Sequence, residues 1–293
     1  MRPTVHVTGV VPERVRAALA ESFVLADAPE GVEGILSVLP TKVDAALLER
    51  AGGQLRIVAN YGVGVDNVDL DAARERGVLV TNTPDVLTHT TAELAIALTL
   101  SLLRRVTEGD RFVRRREPWS FSLEFMLGES LRGKTFGVIG PGRIGRATAA
   151  LAEALGAKAI FAGRSDPVDD LLEAADVVSL HCPLAPDTRH LIDADALAKI
   201  RSTAVLVNTA RGPIVDERAL VEALRDGTIA GAALDVHEHE PAVAGELLQF
   251  ENVVLTPHLG SATRDTREAM GLLAVTSLRA VLVNAEVPPN LVD

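Results

Sequence analysis

The sequence predicts an α/β fold of two parallel-sheet domains, the outer one discontinuous in the chain. Three observations predict it. Short β-rich runs alternate with helix-like stretches along the 293 residues, the pattern of parallel α/β sheets. That length suits two domains of roughly 100–200 residues each. Hydrophobic residues make up 47% of the chain and are mainly Val, Ile, Leu and Ala, which suits strands buried on both faces and the helices that cover them.

In chain order, strands are predicted near 4–8, 34–39, 56–60 and 78–82, then near 136–140, 159–163, 176–181, 204–209, 231–236 and 252–256. Helix-like periodicity falls between them at 43–51, 143–155, 193–200 and 216–226. A long helical pattern from about Thr91 to Arg116 separates the two strand series. A second, Arg264 to Asn284, follows the last strand, with Pro288-Pro289 as its stop. The central domain is therefore placed at 91–264, and the outer one at 1–90 plus 265–293.

Composition narrows the partners. Only 3% of residues are aromatic and the net charge is −11, which argues against stacking on bases or binding a phosphate backbone. A small anionic substrate needs only a local positive site. Cys182 is the single cysteine, so no internal disulfide can form, as suits a reducing compartment. The N-terminus lacks the apolar core of a signal peptide, and the longest apolar stretch, Leu94–Leu103, is too short to span a bilayer. A cytoplasmic protein with no membrane partner is expected. His237-Glu238-His239-Glu240 has neither the spacing nor a third ligand for a metal site, so no metal is expected.

Gly140, Gly142 and Gly145 form G-x-G-x-x-G directly after a predicted strand and at the start of an alanine-rich helix. In that setting the glycines permit a tight turn, close approach of backbone to a pyrophosphate, and close helix–strand packing. The helix N-terminus adds N–H groups and positive dipole. This marks a Rossmann-like dinucleotide site. The next strand ends at Ala162-Gly163-Arg164-Ser165. An acid usual there for an NAD ribose is replaced by Gly163, whereas Arg164 and Ser165 suit a 2′-phosphate. NADP is the favoured cofactor and NAD the other candidate. Asp166 tempers that preference, since it is close enough in sequence to swing toward a ribose.

Later strands carry polar residues just past their C-terminal ends, where ligands bind in open α/β sheets. Arg211, Glu240 and His258 can converge there although far apart in sequence. A carbonyl that accepts hydride develops negative charge on oxygen and needs a positive group and a proton. Arg211 can hold a carboxylate bidentately and polarise the carbonyl. His258 can donate the proton, and the neighbouring Glu240 would favour its protonated form.

These segments resemble the D-isomer-specific 2-hydroxyacid dehydrogenases. The resemblance rests on residues 138–145, 208–217, 233–241 and 256–263, with further matches at 61–67 and 91–95. It implies that Arg211 binds substrate, that Glu240 supports His258, and that His258 is the acid–base. It implies that the backbone of Val63 and Gly64 binds the substrate carboxylate. It also places Arg143, Ile144, Pro183, Thr188, Ala210 and Asp235 at cofactor-contact positions, Asp235 near the nicotinamide. The substrate implied is a small 2-oxo or 2-hydroxy acid. Residues 82–88 and Arg164-Ser165 resemble the glyoxylate/hydroxypyruvate reductase subgroup; a phosphoglycerate dehydrogenase and a corepressor-like NAD(H)-sensing protein are the alternatives. The apolar Thr91–Arg116 stretch and the resemblance together imply a homodimer. Two departures stand out: His237 where the family usually has an aromatic, and a short 164–175 crossover near the minimum for joining parallel strands.

Overall fold

The computed structural model describes residues 2–292. The chain forms two compact units, Met1–Leu87 with Ser261–Asp293, and Thr88–Gly260.

The first unit holds a five-stranded parallel sheet. Its strands are β1 (Thr4–Val7), β2 (Val24–Ala26), β3 (Gly34–Ser37), β4 (Ile57–Asn60) and β5 (Leu79–Thr81), in the order β2-β1-β3-β4-β5. The central β3 and β4 are buried along their whole length. Helices α1 (Glu13–Ser22), α2 (Ala45–Ala51) and α3 (Leu70–Glu75) cross between strands. Asp44 and Asp69 start the last two by accepting the N–H of Leu47 and Ala72, the role for which short acidic side chains are preferred at helix starts.

The second unit holds a six-stranded parallel sheet. Its elements are β6 (Thr135–Ile139), α6 (Arg143–Ala154), β7 (Lys158–Ala162), α7 (Val168–Ala174), β8 (Val177–Leu180), α8 (Ala194–Lys199), β9 (Val205–Asn208), α9 (Glu217–Arg225), β10 (Gly231–Leu234) and β11 (Val253–Leu255). The strand order is β11-β10-β9-β8-β6-β7. Successive side chains point to opposite faces, so Val177, Val205 and Val207 pack on one side with α6, while Val178, Leu180 and Leu206 pack on the other with α7 to α9. The strand order reverses between β6 and β8, so the C-terminal ends of those strands flank the switch point where such sheets bind ligands.

Two helix predictions need correction. The stretch from Thr91 to Arg116 is two helices, α4 (Thr88–Leu103) and α5 (Val106–Arg114). Arg105 adopts φ 56 between them, a left-handed conformation that ends an L-residue helix. The Leu103 carbonyl is taken by the Glu129 N–H at 2.8 Å, and Arg105 closes onto Glu108 at 2.6 Å. The last helix, α10 (Arg264–Leu282), stops well before Pro288-Pro289. Ala285 at φ 56 turns the chain, and the Glu286 N–H returns to the Ala280 carbonyl, so a left-handed residue ends the helix. The short crossover at 164–175 contains the seven-residue α7, begun by Pro167.

Candidate active site

The turn after β6 is built around two glycines that admit no side chain. Gly140 has φ +91, and a Cβ there would lie 2.5 Å from the Cys182 nitrogen just past β8. A Cβ at Gly145 would lie 2.4 Å from the Gly140 carbonyl oxygen. Gly142 caps α6 with no side-chain hydrogen bond, and space around it is open. Arg143 and Ile144 form the first turn of α6. The result is an open backbone cradle at the positive end of a twelve-residue helix, the arrangement that receives a pyrophosphate.

Beyond β7, the Gly163 N–H donates to Asp166 Oδ2 at 2.8 Å. Asp166 is thus folded back on the strand end. Arg164 is highly exposed and pairs with Asp187 at 3.0 Å, and Ser165 follows it. After β8, Thr188 Oγ1 donates to the Pro183 carbonyl at 2.7 Å and accepts the Ala185 N–H at 2.8 Å, which fixes the Pro183–Thr188 turn. His181 lies half-buried beside this turn with its Nε2 2.9 Å from Ser179 Oγ. Burial pushes its titration down to about 4. Burial also pushes the Cys182 thiol up to about 11.

Arg211 stands three residues past β9. The buried Asn208 shapes its turn, donating from Nδ2 to the Arg211 carbonyl at 2.9 Å and accepting the Ala210 N–H at 3.0 Å. Arg211 Nη1 donates to the Ala210 carbonyl at 2.8 Å. The next residue, Gly212, packs so closely on the 237–240 loop that a Cβ would lie 1.9 Å from the His237 carbonyl oxygen. The turn carrying Arg211 and the loop carrying Glu240 are therefore packed backbone to backbone.

Past β10, the Asp235 carboxylate is fully buried. It accepts the Thr256 hydroxyl at 2.6 Å and the N–H groups of Leu259 and Gly260 at 2.7 and 2.8 Å. The Asp235 carbonyl accepts the His258 N–H at 2.8 Å. One residue thus pins the whole 256–260 turn, in which His258 is held at φ 56. His258 Nδ1 lies 2.9 Å from Glu240 Oε2. The other carboxylate oxygen, Oε1, accepts the His237 N–H at 3.1 Å. Burial alone would raise the Glu240 carboxyl, but the hydrogen bond and charge of His258, with the His237 N–H, outweigh it and hold the carboxyl below its ordinary value.

Glu240 and His258 are therefore in direct contact, and Arg211 sits at the same edge of the same sheet. Val63 and Gly64 belong to the other unit, where Asn82 and Asn60 donate to their carbonyls at 2.9 and 2.8 Å. Two residues that shape the site were not singled out from the sequence, Asn208 and Thr256. Asn208 carried a signal, an amide closing an otherwise apolar strand; the Thr256 bond to Asp235 is a tertiary pairing with no local mark. Among the described residues no group of three or more His, Cys, Asp or Glu could hold a metal ion.

A glycine-lined cradle opening α6 and a carboxylate-paired histidine past the last strands of the same sheet define a nicotinamide-dependent oxidoreductase site. The family profile for the NAD-binding domain of D-isomer-specific 2-hydroxyacid dehydrogenases matches residues 96–260. The chain is 41% identical to a glyoxylate reductase of Korarchaeum cryptofilum, covering 100% of this chain and 96% of that one. A solved protein from Thermus thermophilus superimposes with a TM-score of 0.91 at 42% identity, covering 99% and 100% of the two chains. An NADPH-dependent glyoxylate/hydroxypyruvate reductase from Sinorhizobium meliloti, solved with NADP and malonate, gives a TM-score of 0.89 at 38% identity over 100% and 97%. The chain belongs to the D-isomer-specific 2-hydroxyacid dehydrogenase family and is an NAD(P)-dependent oxidoreductase acting on a CH–OH donor. The residues present fit the dinucleotide: Gly140 and Gly145 let the turn pack tightly on Cys182 and on itself, and Gly142 leaves open space at the start of α6.

Proposed function

We propose that this protein is a glyoxylate/hydroxypyruvate-type reductase that prefers NADPH and works as a cytoplasmic homodimer. The observation that carries the reading is the 2.9 Å His258–Glu240 pair at the strand ends of the sheet that bears the dinucleotide cradle. The nicotinamide supplies hydride when bound. Gly142, Arg143, Ile144 and Gly145 hold the dinucleotide at the start of α6, with Pro183, Thr188, Ala210 and Asp235 along the strand ends. Arg211 binds the 2-oxo acid carboxylate and polarises its carbonyl. Glu240 accepts the His258 Nδ1 hydrogen, which leaves Nε2 to donate a proton to the carbonyl oxygen as the hydroxyl forms. The backbone of Val63 and Gly64 is assigned to substrate binding.

The NADPH preference rests on Arg164. Its present partner Asp187 is half exposed, and exposed ion pairs are worth little, so a 2′-phosphate displaces it at small cost. Initial rates with a panel of 2-oxo acids and either coenzyme test the reading. Arg164→Asp is expected to narrow or reverse the preference. A wild type that uses NADH better, with Arg164→Ala leaving the ratio unchanged, refutes it.

The dimer rests on apolar exposure. Trp119, Phe121, Leu123 and Leu127, with Val106 and Val113 of α5, are exposed, a larger run of apolar surface than single scattered residues explain. Trp119 stacks on Phe125 at 6.1 Å, so the segment is ordered by its own aromatics. Sedimentation at micromolar concentration should find a dimer; monomer alone contradicts it.

A further inference from the structure

His237 is a buried polar ring in the middle of the acid–base loop. Its side chain is almost wholly buried. Nε2 lies 3.2 Å from the Thr256 carbonyl oxygen, which can only accept, so the ring hydrogen is on Nε2. Nδ1 is on the other side of the ring. It is buried without a hydrogen-bond partner, and Glu217 Oε1 stands 3.9 Å from it. An apolar ring would leave no such orphan, so the histidine carries a local cost. The bond that it makes on its other side connects the two loops that matter. The backbone N–H of His237 holds Glu240 Oε1, while its ring holds the carbonyl two residues before His258.

We infer that His237 is a positioning residue: through the Nε2–H bond to the Thr256 carbonyl it locks the loop of Glu240 to the turn of His258 and so sets the contact between them. The inference rests on the acid–base reading above. The charged and titratable groups around the ring are Glu217 at the start of α9, Asp235, Glu238 and Glu240 on its own segment, and His258 beyond β11. Glu217 is already committed, its Oε1 accepting the Glu238 N–H at 2.8 Å. Glu238 is committed in turn, its Oε1 lying 2.6 Å from His190 Nε2. As carboxylates, neither can donate to the Thr256 carbonyl in place of the ring. Asp235 is filled by its own three donors.

The test compares His237→Phe, which keeps a ring but loses the bond, with His237→Gln, whose amide nitrogen can replace Nε2. Rates of 2-oxo acid reduction by NADPH are measured across pH for both, for wild type and for Glu240→Gln. The Phe variant is expected to lose about threefold to tenfold in kcat, the worth of one hydrogen bond. KM values should stay within about twofold, and the alkaline limb should move to lower pH. The Gln variant should restore both kcat and limb. A Phe limb at the wild-type position, or equal shifts in Phe and Gln, overturns the inference while leaving the Glu240–His258 reading intact. If Glu240→Gln itself leaves the limb unmoved, the reading beneath it fails and takes the inference with it. Should the Phe variant not fold, nitrogen-15 spectra of the wild-type histidines decide: His237, assigned by its loss in the Gln variant, must carry its hydrogen on Nε2. A hydrogen on Nδ1 overturns the inference.

Discussion

Replacing Glu240 by Gln removes a charge and keeps a shape. The carboxylate lies 2.9 Å from His258 Nδ1, and its other oxygen takes the His237 N–H. A hydrogen bond to a charged group contributes about 1.5–3 kcal/mol. Each side chain is 35% exposed, so water screens the pair and the lower end applies. Reduction needs the protonated ring, so its rate holds at low pH and falls as pH rises. In the Gln variant that fall should come at lower pH, and the rising limb of oxidation should move down with it. Well below both limbs the two enzymes should converge. The lowered Glu240 carboxyl has a matching effect on stability: its contribution is present above the ordinary carboxylate value and is lost as pH falls through the lower folded one. The assay is the initial rate of NADPH oxidation against pH, repeated with deuterated NADPH so that an isotope effect shows hydride transfer to be rate-limiting. Superimposable profiles in the presence of that isotope effect would refute the pairing.

Two further outcomes follow from burial. His181 titrates near 4 in the folded chain against an ordinary value of 6.5, so it is neutral when folded and protonated when unfolded across that window. Its contribution is complete above the ordinary value and is lost as pH falls toward the folded one. Urea unfolding at neutral pH and near pH 4.5 should show a smaller pH-dependence in His181→Gln than in wild type; equal slopes contradict this. Cys182, with its thiol pushed up to about 11, has almost no thiolate at neutral pH. Its labelling by iodoacetamide should be far slower than that of a free thiol and should accelerate on unfolding in urea; rapid labelling of the native protein contradicts it.

The sheets were legible because their strands are runs of Val, Ile, Leu and Ala at lengths that parallel strands use, and every predicted strand is present. The three-residue β2, Val24–Ala26, was not. It lies at a sheet edge and is partly exposed, so it carries neither an apolar run nor a clear alternation. The break at Arg105 was hidden for a different reason. Helical periodicity continues on both sides of it, and the event that ends α4 is the Glu129 N–H, more than twenty residues away, taking the Leu103 carbonyl. The acid–base pair was legible because His258 and Glu240 each stand just past a strand, where topology alone gathers functional residues. The part played by His237 was not. The sequence marks it as unusual, but its bond to Thr256 depends on how two loops meet.

The most direct test of the central claim is turnover by His258→Ala beside its coenzyme binding. With glyoxylate or hydroxypyruvate and NADPH, the variant should lose roughly a hundredfold or more in kcat, the usual worth of general acid catalysis. Its affinity for NADPH, measured by fluorescence titration, should stay close to that of wild type, because the cradle at Gly140, Gly142 and Gly145 is a separate part of the unit. A variant that reduces these acids at the wild-type rate would contradict the account.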